Sequence, residues 1–314
     1  MIKTIVSSNL PVDELFRIRK NVLTNGSAQK RFCVVSGTHG DELEGQMVCY
    51  ELGKIIGENM DLLNGSVEIY PALNPLGIDT IQRGIPNFDL DMNRIFPGDP
   101  QGSMAEQTAY LITEDLKGSN MVIDIHSSNL FLREQPQVRI NVLNEKELVP
   151  FAEKLNIDFI WVHDAATVLE ATLAHSLNST GTPCLVVEMG VGQRINHGMC
   201  RQLEKGIFQL MFDMGIWKKS PDEMDIFNEV ESHKAMLCKG DTVEFLNAEK
   251  SGIFLTEKKA GENIHKGELI GEIVSPLEGK IISTVLAPCD GYLFTIRAYP
   301  VVYEGSLMAR IFKQ

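Results

Sequence analysis

Residues 32–45 read FCVVSGTHGDELEG, and this stretch decides the fold. A short run of apolar, largely β-branched residues ends at Gly37, and a pattern of helical period begins soon after it. A strand that passes through a tight turn directly into a helix is typical of α/β proteins. His39 and Glu42 stand in that turn, so we expect both side chains at the carboxyl end of the first core strand.

The same alternation of short apolar runs and amphipathic stretches continues to about residue 216. It predicts an α/β domain with a largely parallel sheet. A capping box at Ser103 and Glu106 opens one helix, and apolar residues at helical spacing predict a last helix from about Gln202 to Met214. The expected strands are Phe32–Ser36, Val67–Ala72, Met121–Ile125, Val138–Val142, Phe159–Val162 and Cys184–Glu188.

The chain changes character at about Lys218, where the helical period is lost. Short runs between Gly, Pro and Asp residues predict a small all-β module from there on. Residues 251–273 return in similar form as residues 290–311, which indicates two related halves. This repeat resembles the barrel-sandwich hybrid of biotinyl and lipoyl domains. We therefore expect two domains, residues 1–217 and residues 218–314.

Composition excludes several classes of partner. The chain has 314 residues and a formal net charge of −13, and such a surface repels a phosphate backbone, so nucleic acid is not expected. The six cysteines form no C-x-x-C pair and several lie in apolar runs, which indicates reduced core thiols in a cytoplasmic protein. Neither a bilayer-spanning apolar stretch nor the apolar core of an export signal is found, so we expect no membrane contact.

A metal site is predicted from three residues. His39 and Glu42 supply two candidate ligands, and the third is expected at the end of another strand of the same sheet. His126 fits because it ends the apolar run that begins at Met121. Two imidazoles and one carboxylate are common in catalytic zinc sites. Asp124, on the same strand face, is a candidate to orient a ligand imidazole. The alternative is that His39 caps the following helix and His126 is structural.

Other charged residues in the pattern suggest a hydrolytic site. Glu188 follows a buried-type strand, and a carboxylate there serves either as a general base or in a buried salt bridge. Arg83 and Arg94 stand in loops after the second strand, and a guanidinium is the preferred fork for a substrate carboxylate. The alternative for Arg94 is an ordinary loop salt bridge to Asp89 or Asp91.

Four ordered motifs, H-G-D-E, D-x-N-R-x-F-P-G, D-x-H-S and V-E-x-G, together carry a resemblance. Over about residues 30–215 the chain resembles the succinylglutamate desuccinylase and aspartoacylase family of zinc carboxypeptidase-like hydrolases. The resemblance implies a mixed sheet flanked by helices and one Zn²⁺ per chain. The residues that it implies are His39, Glu42 and His126 as zinc ligands, Glu188 as the base, Asn93 with Arg94 on the substrate α-carboxylate, and Arg83 polarising the scissile carbonyl.

One feature departs from the family pattern. Aspartoacylases have a further Arg shortly before the catalytic Glu, yet residues 169–187 contain none and have His175 and Asn178 instead. The departure argues against N-acetylaspartate as the substrate.

The leading functional hypothesis is a zinc amidohydrolase that removes a small acyl group from an N-acyl amino acid. The first alternative is a zinc carboxypeptidase acting on short peptides, which would use the same site. The two differ in what covers the site, since a β-module packed over the cleft would admit small amides and exclude peptide chains. Two further alternatives are a covalent cofactor carrier modified at Lys280 and a binding protein that lost catalysis. Carriers present a Glu-x-Met-Lys type of motif, which the sequence Leu277-Glu-Gly-Lys280 lacks. The partner expected is a small molecule, and association into a homo-oligomer is left open.

Overall fold

The computed structural model describes residues 1–26, 30–164 and 170–313. The helices are α1 (Glu44–Glu58), α2 (Pro75–Thr80), α3 (Met104–Leu116), α4 (Glu145–Ala152), α5 (Leu173–Ser179) and α6 (His197–Asp213). The strands are β1 (Ile2–Asn9), β2 (Leu15–Asn25), β3 (Arg31–Ser36), β4 (Gly65–Tyr70), β5 (Met121–Ser127), β6 (Leu132–Asn141), β7 (Phe159–His163), β8 (Cys184–Gly190), β9 (Met236–Lys239), β10 (Val243–Asn247), β11 (Gly252–Leu255), β12 (Glu262–Ile264), β13 (Leu269–Ser275), β14 (Lys280–Leu286), β15 (Gly291–Arg297), β16 (Val301–Val302) and β17 (Leu307–Lys313).

A large mixed sheet runs through the molecule in the order β1-β2-β4-β3-β5-β8-β6-β15-β17-β10. Its centre, β4-β3-β5-β8, is parallel. On both sides the pairing becomes antiparallel, at β2 with β4 and at β6 with β8. Parallel strands need a crossover of about a dozen residues or more, and residues 128–131 between β5 and β6 are too few for one. The α/β class with a mixed sheet flanked by helices is confirmed, and the sheet is less parallel than the strand pattern alone indicates.

The central strands are buried on both faces. Alternate residues of β3 enter two different cores, with Phe32 and Val34 on one face and Cys33 and Val35 on the other. Helices α1 and α6 cover the first face, and α3 and α5 cover the second. This double cover explains why the strand reads as a continuous apolar run rather than an alternating one.

Local signals place the helix starts. The capping box at Ser103 and Glu106 is present at the start of α3, as predicted. Helix α6 begins earlier than expected, because the Asn196 side chain accepts a hydrogen bond from the Met199 backbone N–H and caps it. All six cysteines lie within the described residues and are free thiols, five of them buried.

The C-terminal strands form a second, four-stranded sheet, β14-β13-β11-β16, and also extend the large one. They have an apolar core of their own, which includes Ile273, Leu293 and Ile311. Strands on either side of residue 217 pair with one another, β6 with β15 and β7 with β9. The division into two domains at residue 217 stays a prediction. Among the residues that the structure describes, no helix combines the length and apolar character needed to cross a bilayer.

We predict a pH-dependent contribution to stability from Glu204 on α6. Its side chain is buried, and burial raises its pKa from 4.5 to about 7, although Arg201 lies 3.1 Å away and opposes the shift. A carboxyl whose pKa is raised on folding contributes stability below its unfolded pKa and loses it as the pH rises through the folded pKa. The free energy of unfolding should therefore fall by about 2–3 kcal/mol more between pH 5 and pH 8 in the parent than in Glu204→Gln.

Urea unfolding at a series of pH values measures this difference. Glu58→Gln, a change of an exposed carboxyl at the end of α1, is the matched control and should keep the parent's pH dependence. An identical pH slope in the parent and Glu204→Gln would contradict the prediction.

Candidate active site

The three predicted ligands meet at the carboxyl ends of β3 and β5. His39 Nδ1 lies 2.7 Å from Glu42 Oε1, and His126 Nδ1 lies 3.0 Å from Glu42 Oε2. The two Nδ1 atoms are 3.2 Å apart. All three residues are buried, and the three side chains form a group that could hold a metal ion. Strands β3 and β5 pair in parallel, so their carboxyl ends lie at the same edge of the sheet.

The turn that carries His39 depends on glycine. Gly37 has a φ of +67°, which a side chain with a Cβ rarely adopts. Gly40 approaches the backbone of α2 so closely that a Cβ would lie 1.9 Å from the carbonyl carbon of Gly77. Its N–H donates to the Gln82 carbonyl at 3.0 Å. The turn is therefore held against α2, and its position fixes that of His39.

Each imidazole has a carboxylate behind it. His39 Nε2 lies 3.1 Å from Asp91 Oδ1, within hydrogen-bonding distance. His126 Nε2 lies 3.1 Å from Asp124 Oδ2, an ion-pair distance whose angles are poor for a hydrogen bond. Carboxylate oxygens only accept, so Asp91 and Asp124 can take the Nε2 protons when a cation occupies the two Nδ1 atoms, which face Glu42. A divalent cation fits this donor set.

The neighbouring charges shift the pKa values of Glu42 and His126. Burial by itself would raise the pKa of Glu42, but the neighbouring His39 and His126 outweigh burial and lower it to about 2. Burial lowers the pKa of His126, yet the Asp124 and Glu42 carboxylates raise it well above its ordinary value. Glu42 is therefore ionised at neutral pH, as a ligand carboxylate must be.

Asp124 lies beside His126, as predicted, whereas the contact of Asp91 with His39 is not predicted by the sequence. The sequence suggested Asp91 only as a salt-bridge partner of Arg94. In the structure Asp91 instead contacts His39 and, through Oδ2, Arg83 Nε at 3.2 Å. Only its place two residues before Asn93 pointed to the site.

Arg83 is brought to the rim of the site. Its Nη1 donates to Glu42 Oε1 at 3.1 Å, while its Nη2 and Nε both face Asp91. The side chain is partly exposed, so it borders the cavity on one side and solvent on the other.

Asn93 and Arg94 lie in a one-turn 3₁₀ helix, Met92–Arg94, that contacts α5. Asn93 Oδ1 accepts a hydrogen bond from the Leu173 N–H at 2.9 Å. Arg94 lines the cavity, and its Nη1 donates to the Asn93 carbonyl at 2.7 Å. Within the described residues Arg94 has no ion-pair partner, so the expected alternative of a loop salt bridge is not seen.

Glu188 lies beside the triad on β8. It is in register with His126 of β5, and side chains in register on parallel strands share a face. Arg139 Nη1, from β6, lies 3.3 Å from Glu188 Oε1. Burial raises the pKa of Glu188, and Arg139 and His126 oppose the shift. Arg139 is not among the predicted site residues, and its only signal in the sequence is a cation inside a predicted apolar strand.

These residues line one cavity of about 660 Å³, a volume suited to a small ligand. The metal-site residues, Arg94 and Glu188 form one part of its wall. Another part consists of Arg139, Trp161 and, from the C-terminal strand β17, Arg310. The cavity therefore combines residues from both ends of the chain.

Comparisons with known proteins give matches over most of the chain. A family model described as the succinylglutamate desuccinylase/aspartoacylase catalytic domain matches residues 28–212. The N-alpha-acetyl-L-2,4-diaminobutyric acid deacetylase of Halomonas elongata is 25% identical over 296 residues, which is 88% of this chain and 80% of the relative.

Solved structures share the fold along the whole chain. A succinylglutamate desuccinylase/aspartoacylase from Rhodobacter sphaeroides has a TM-score of 0.83 at 21% identity and covers 100% of this chain and 96% of its own. The ectoine utilization protein EutE (DoeB) from Ruegeria pomeroyi, in a product-bound structure, has a TM-score of 0.81 at 20% identity, covering 98% of this chain and 93% of its own. At these identities the likeness establishes the fold.

The turn before α1 gives a testable prediction. Gly40→Ala should lower the free energy of unfolding by about 1–3 kcal/mol, because the new Cβ meets the α2 backbone and not a flexible side chain. Gly57→Ala is the matched control, since a Cβ there has open space around it and Ala favours the helix by up to about 1 kcal/mol. Urea unfolding measures both, and an equal response of the two variants would argue against a packed turn.

Proposed function

This chain belongs to the succinylglutamate desuccinylase/aspartoacylase family, and on that premise we propose that it is a zinc-dependent amidohydrolase that removes a small acyl group from an N-acyl amino acid. The observation that carries the proposal is the triad of His39, Glu42 and His126 beside Glu188 in one small cavity. The deacetylase name of the Halomonas elongata relative supports the same reaction class.

In this proposal His39, Glu42 and His126 hold one zinc ion. Two imidazole nitrogens and a carboxylate are a set that zinc takes in catalytic sites. The carboxylates behind the two rings support it, because they can accept the Nε2 protons of imidazoles whose Nδ1 atoms bind a metal. A zinc ion bound there would supply Lewis-acid chemistry, which polarises an amide carbonyl.

The protein's own groups divide the remaining work. Glu188 takes a proton from the attacking water and later delivers one to the leaving amine, and its raised pKa suits both steps. Asn93 and Arg94 bind the α-carboxylate of the substrate, and the guanidinium of Arg94 is not committed to a carboxylate of the described chain. Arg83, whose guanidinium faces Glu42 at the cavity wall, is assigned to the scissile carbonyl.

A zinc carboxypeptidase acting on short peptides would use the same residues. We favour the amidohydrolase because the Halomonas elongata relative is named a deacetylase of an N-acetylated amino acid, and because a cavity of about 660 Å³ suits a small ligand. We propose a small N-acyl amino acid as the substrate and, from the six free thiols, a cytoplasmic location.

The first prediction from this proposal concerns zinc content. The parent should bind about one zinc ion per chain, and His39→Ala or His126→Ala should lose most of it, because two ligands hold the ion poorly. His175→Ala is the matched control, since His175 lines the cavity but lies outside the triad. Elemental analysis after dialysis measures the occupancy. Full occupancy in both ligand variants would rule out this ligand set.

A second prediction concerns the base. Glu188→Gln keeps the size of the side chain but cannot accept a proton, so kcat should fall about 10²–10⁴-fold. KM should change little and zinc content should stay at the parent level. Steady-state kinetics at confirmed zinc occupancy measure this. A kcat within a few-fold of the parent would make Glu188 a structural carboxylate.

The third prediction concerns the substrate carboxylate. Arg94→Lys should raise KM strongly, because a point charge cannot replace the two-pronged guanidinium contact. Arg194→Lys is the matched control: Arg194 also donates to the preceding carbonyl, at 2.8 Å, and does not line the cavity. An N-acyl amine without the carboxylate should respond equally weakly to both changes. An unchanged KM in Arg94→Lys would remove Arg94 from the site.

A further inference from the structure

Glu134 is a buried carboxylate at the point where the large sheet passes into the C-terminal strands. On β6 it is in register with Gly190 of β8 on one side and with Thr295 of β15 on the other. The register between β6 and β8 shifts directly after it, which marks a bulge. Only 1% of Glu134 is exposed, so its charge needs partners within the protein.

Two guanidinium groups supply those partners. Arg139 Nη2 donates to Glu134 Oε2 at 2.8 Å, and Arg310 Nη1 donates to Glu134 Oε1. The Thr295 hydroxyl adds a third contact to Oε1, at 3.3 Å. One carboxylate thus holds a cation of β6 and a cation of β17 in place.

Arg139 links this cluster to the base. Its other terminal nitrogen, Nη1, is the atom that lies 3.3 Å from Glu188 Oε1. Arg139 and Arg310 also both lie over the ring of Trp161, at 5.8 and 5.6 Å from its centroid. The contacts run without a gap from Arg310 through Glu134 and Arg139 to Glu188.

Glu134 balances the charges of Arg139 and Arg310. Arg139 is shared between the Glu134 and Glu188 carboxylates. The pull of one carboxylate limits how closely Arg139 approaches the other. Without the charge on Glu134, the two guanidinium groups repel each other and Glu188 becomes the main anion beside Arg139. Arg139 then shifts away from Arg310 and toward Glu188, and the Glu188 carboxylate loses its fixed position.

We propose that Glu134 is a positioning residue for the hydrolysis: it fixes Arg139, which holds the Glu188 carboxylate in place, and it ties that placement to Arg310 of the C-terminal strands. This inference rests on the proposed function, because it acts through Glu188. It gives the C-terminal strands a part in turnover in addition to their part in the cavity wall.

The test begins with Glu134→Gln, which keeps the size of the side chain and removes its charge. We expect kcat to fall about 10–100-fold, the effect of a misplaced reacting group, while KM changes by less than about threefold. Zinc content should stay at the parent level. A parent-like kcat, or a change in KM alone, overturns the proposal.

Arg310 gives an independent test if Glu134→Gln folds poorly. Arg310→Met should lower kcat as Glu134→Gln does, whereas Arg310→Lys keeps the charge and should retain most of the parent kcat. Ile273→Ala is the control, because it weakens the C-terminal core without touching the cavity. Parent-like kcat in Arg310→Met, or an equal loss of kcat in folded Ile273→Ala, overturns the link to the C-terminal strands.

The double variant Glu134→Gln/Glu188→Gln separates this inference from the proposed function. If Glu134 acts through Glu188, the double variant should have the same kcat as Glu188→Gln, because Glu134 has no base left to position. An equal fold loss in both backgrounds overturns the positioning role. If the parent releases no amine from N-acyl amino acids, the proposed function fails, and if Glu188→Gln keeps the parent kcat, Glu188 is not the base and the positioning role fails with it. If Glu188→Gln loses turnover while Glu134→Gln and Arg310→Met keep it, only the positioning role fails.

Discussion

Parallel pairing of β3 with β5 and of β5 with β8 is the constraint on which the rest of the molecule depends. It brings the turn after β3, His126 of β5 and Glu188 of β8 to one edge of the sheet. A register slip of one residue would turn a side chain such as His126 to the opposite face. Val34 and Val35 fill different cores, so a slip would also exchange the residues that pack into the two apolar layers.

Charge compensation is the second requirement at this edge. Glu42 faces two imidazoles and Arg83, and Asp91 faces His39 and Arg83. A buried charge without a partner is strongly destabilising, so these groups are held by one another before any ligand arrives. The contacts that compensate these buried charges also fix the directions of the His39, Glu42 and His126 side chains.

The C-terminal strands are joined to the rest of the molecule by aromatic packing as well as by hydrogen bonds. Phe159 of β7 stacks on Phe294 of β15 with ring centroids 4.6 Å apart. Phe312 of β17 contacts the same Phe159 ring edge-on, with centroids 5.1 Å apart. This packing holds β15, which lies between β6 and β17, against β7, and Arg310 of β17 reaches across β15 to Glu134. The C-terminal strands therefore contribute Arg310 to the cavity wall, and Arg310 contacts Glu134 in the same wall.

The sequence by itself determined the α/β class, the core strands and the three residues of the candidate metal site. Each of those signals is local: an apolar run gives a strand, and a polar residue at its end gives a candidate ligand. Asp124 was predicted for the same reason, because it shares a strand face with His126.

Only the tertiary structure decided the antiparallel direction of β6, the contact of Asp91 with His39 and the line from Arg310 through Glu134 to Arg139. These contacts join residues far apart in the chain, for example Arg310 and Glu134. Local periodicity records whether a residue is buried, and it carries no information on which distant strand lies beside it. The partner of a buried charge is fixed only when the strands pair and the cores on both faces close.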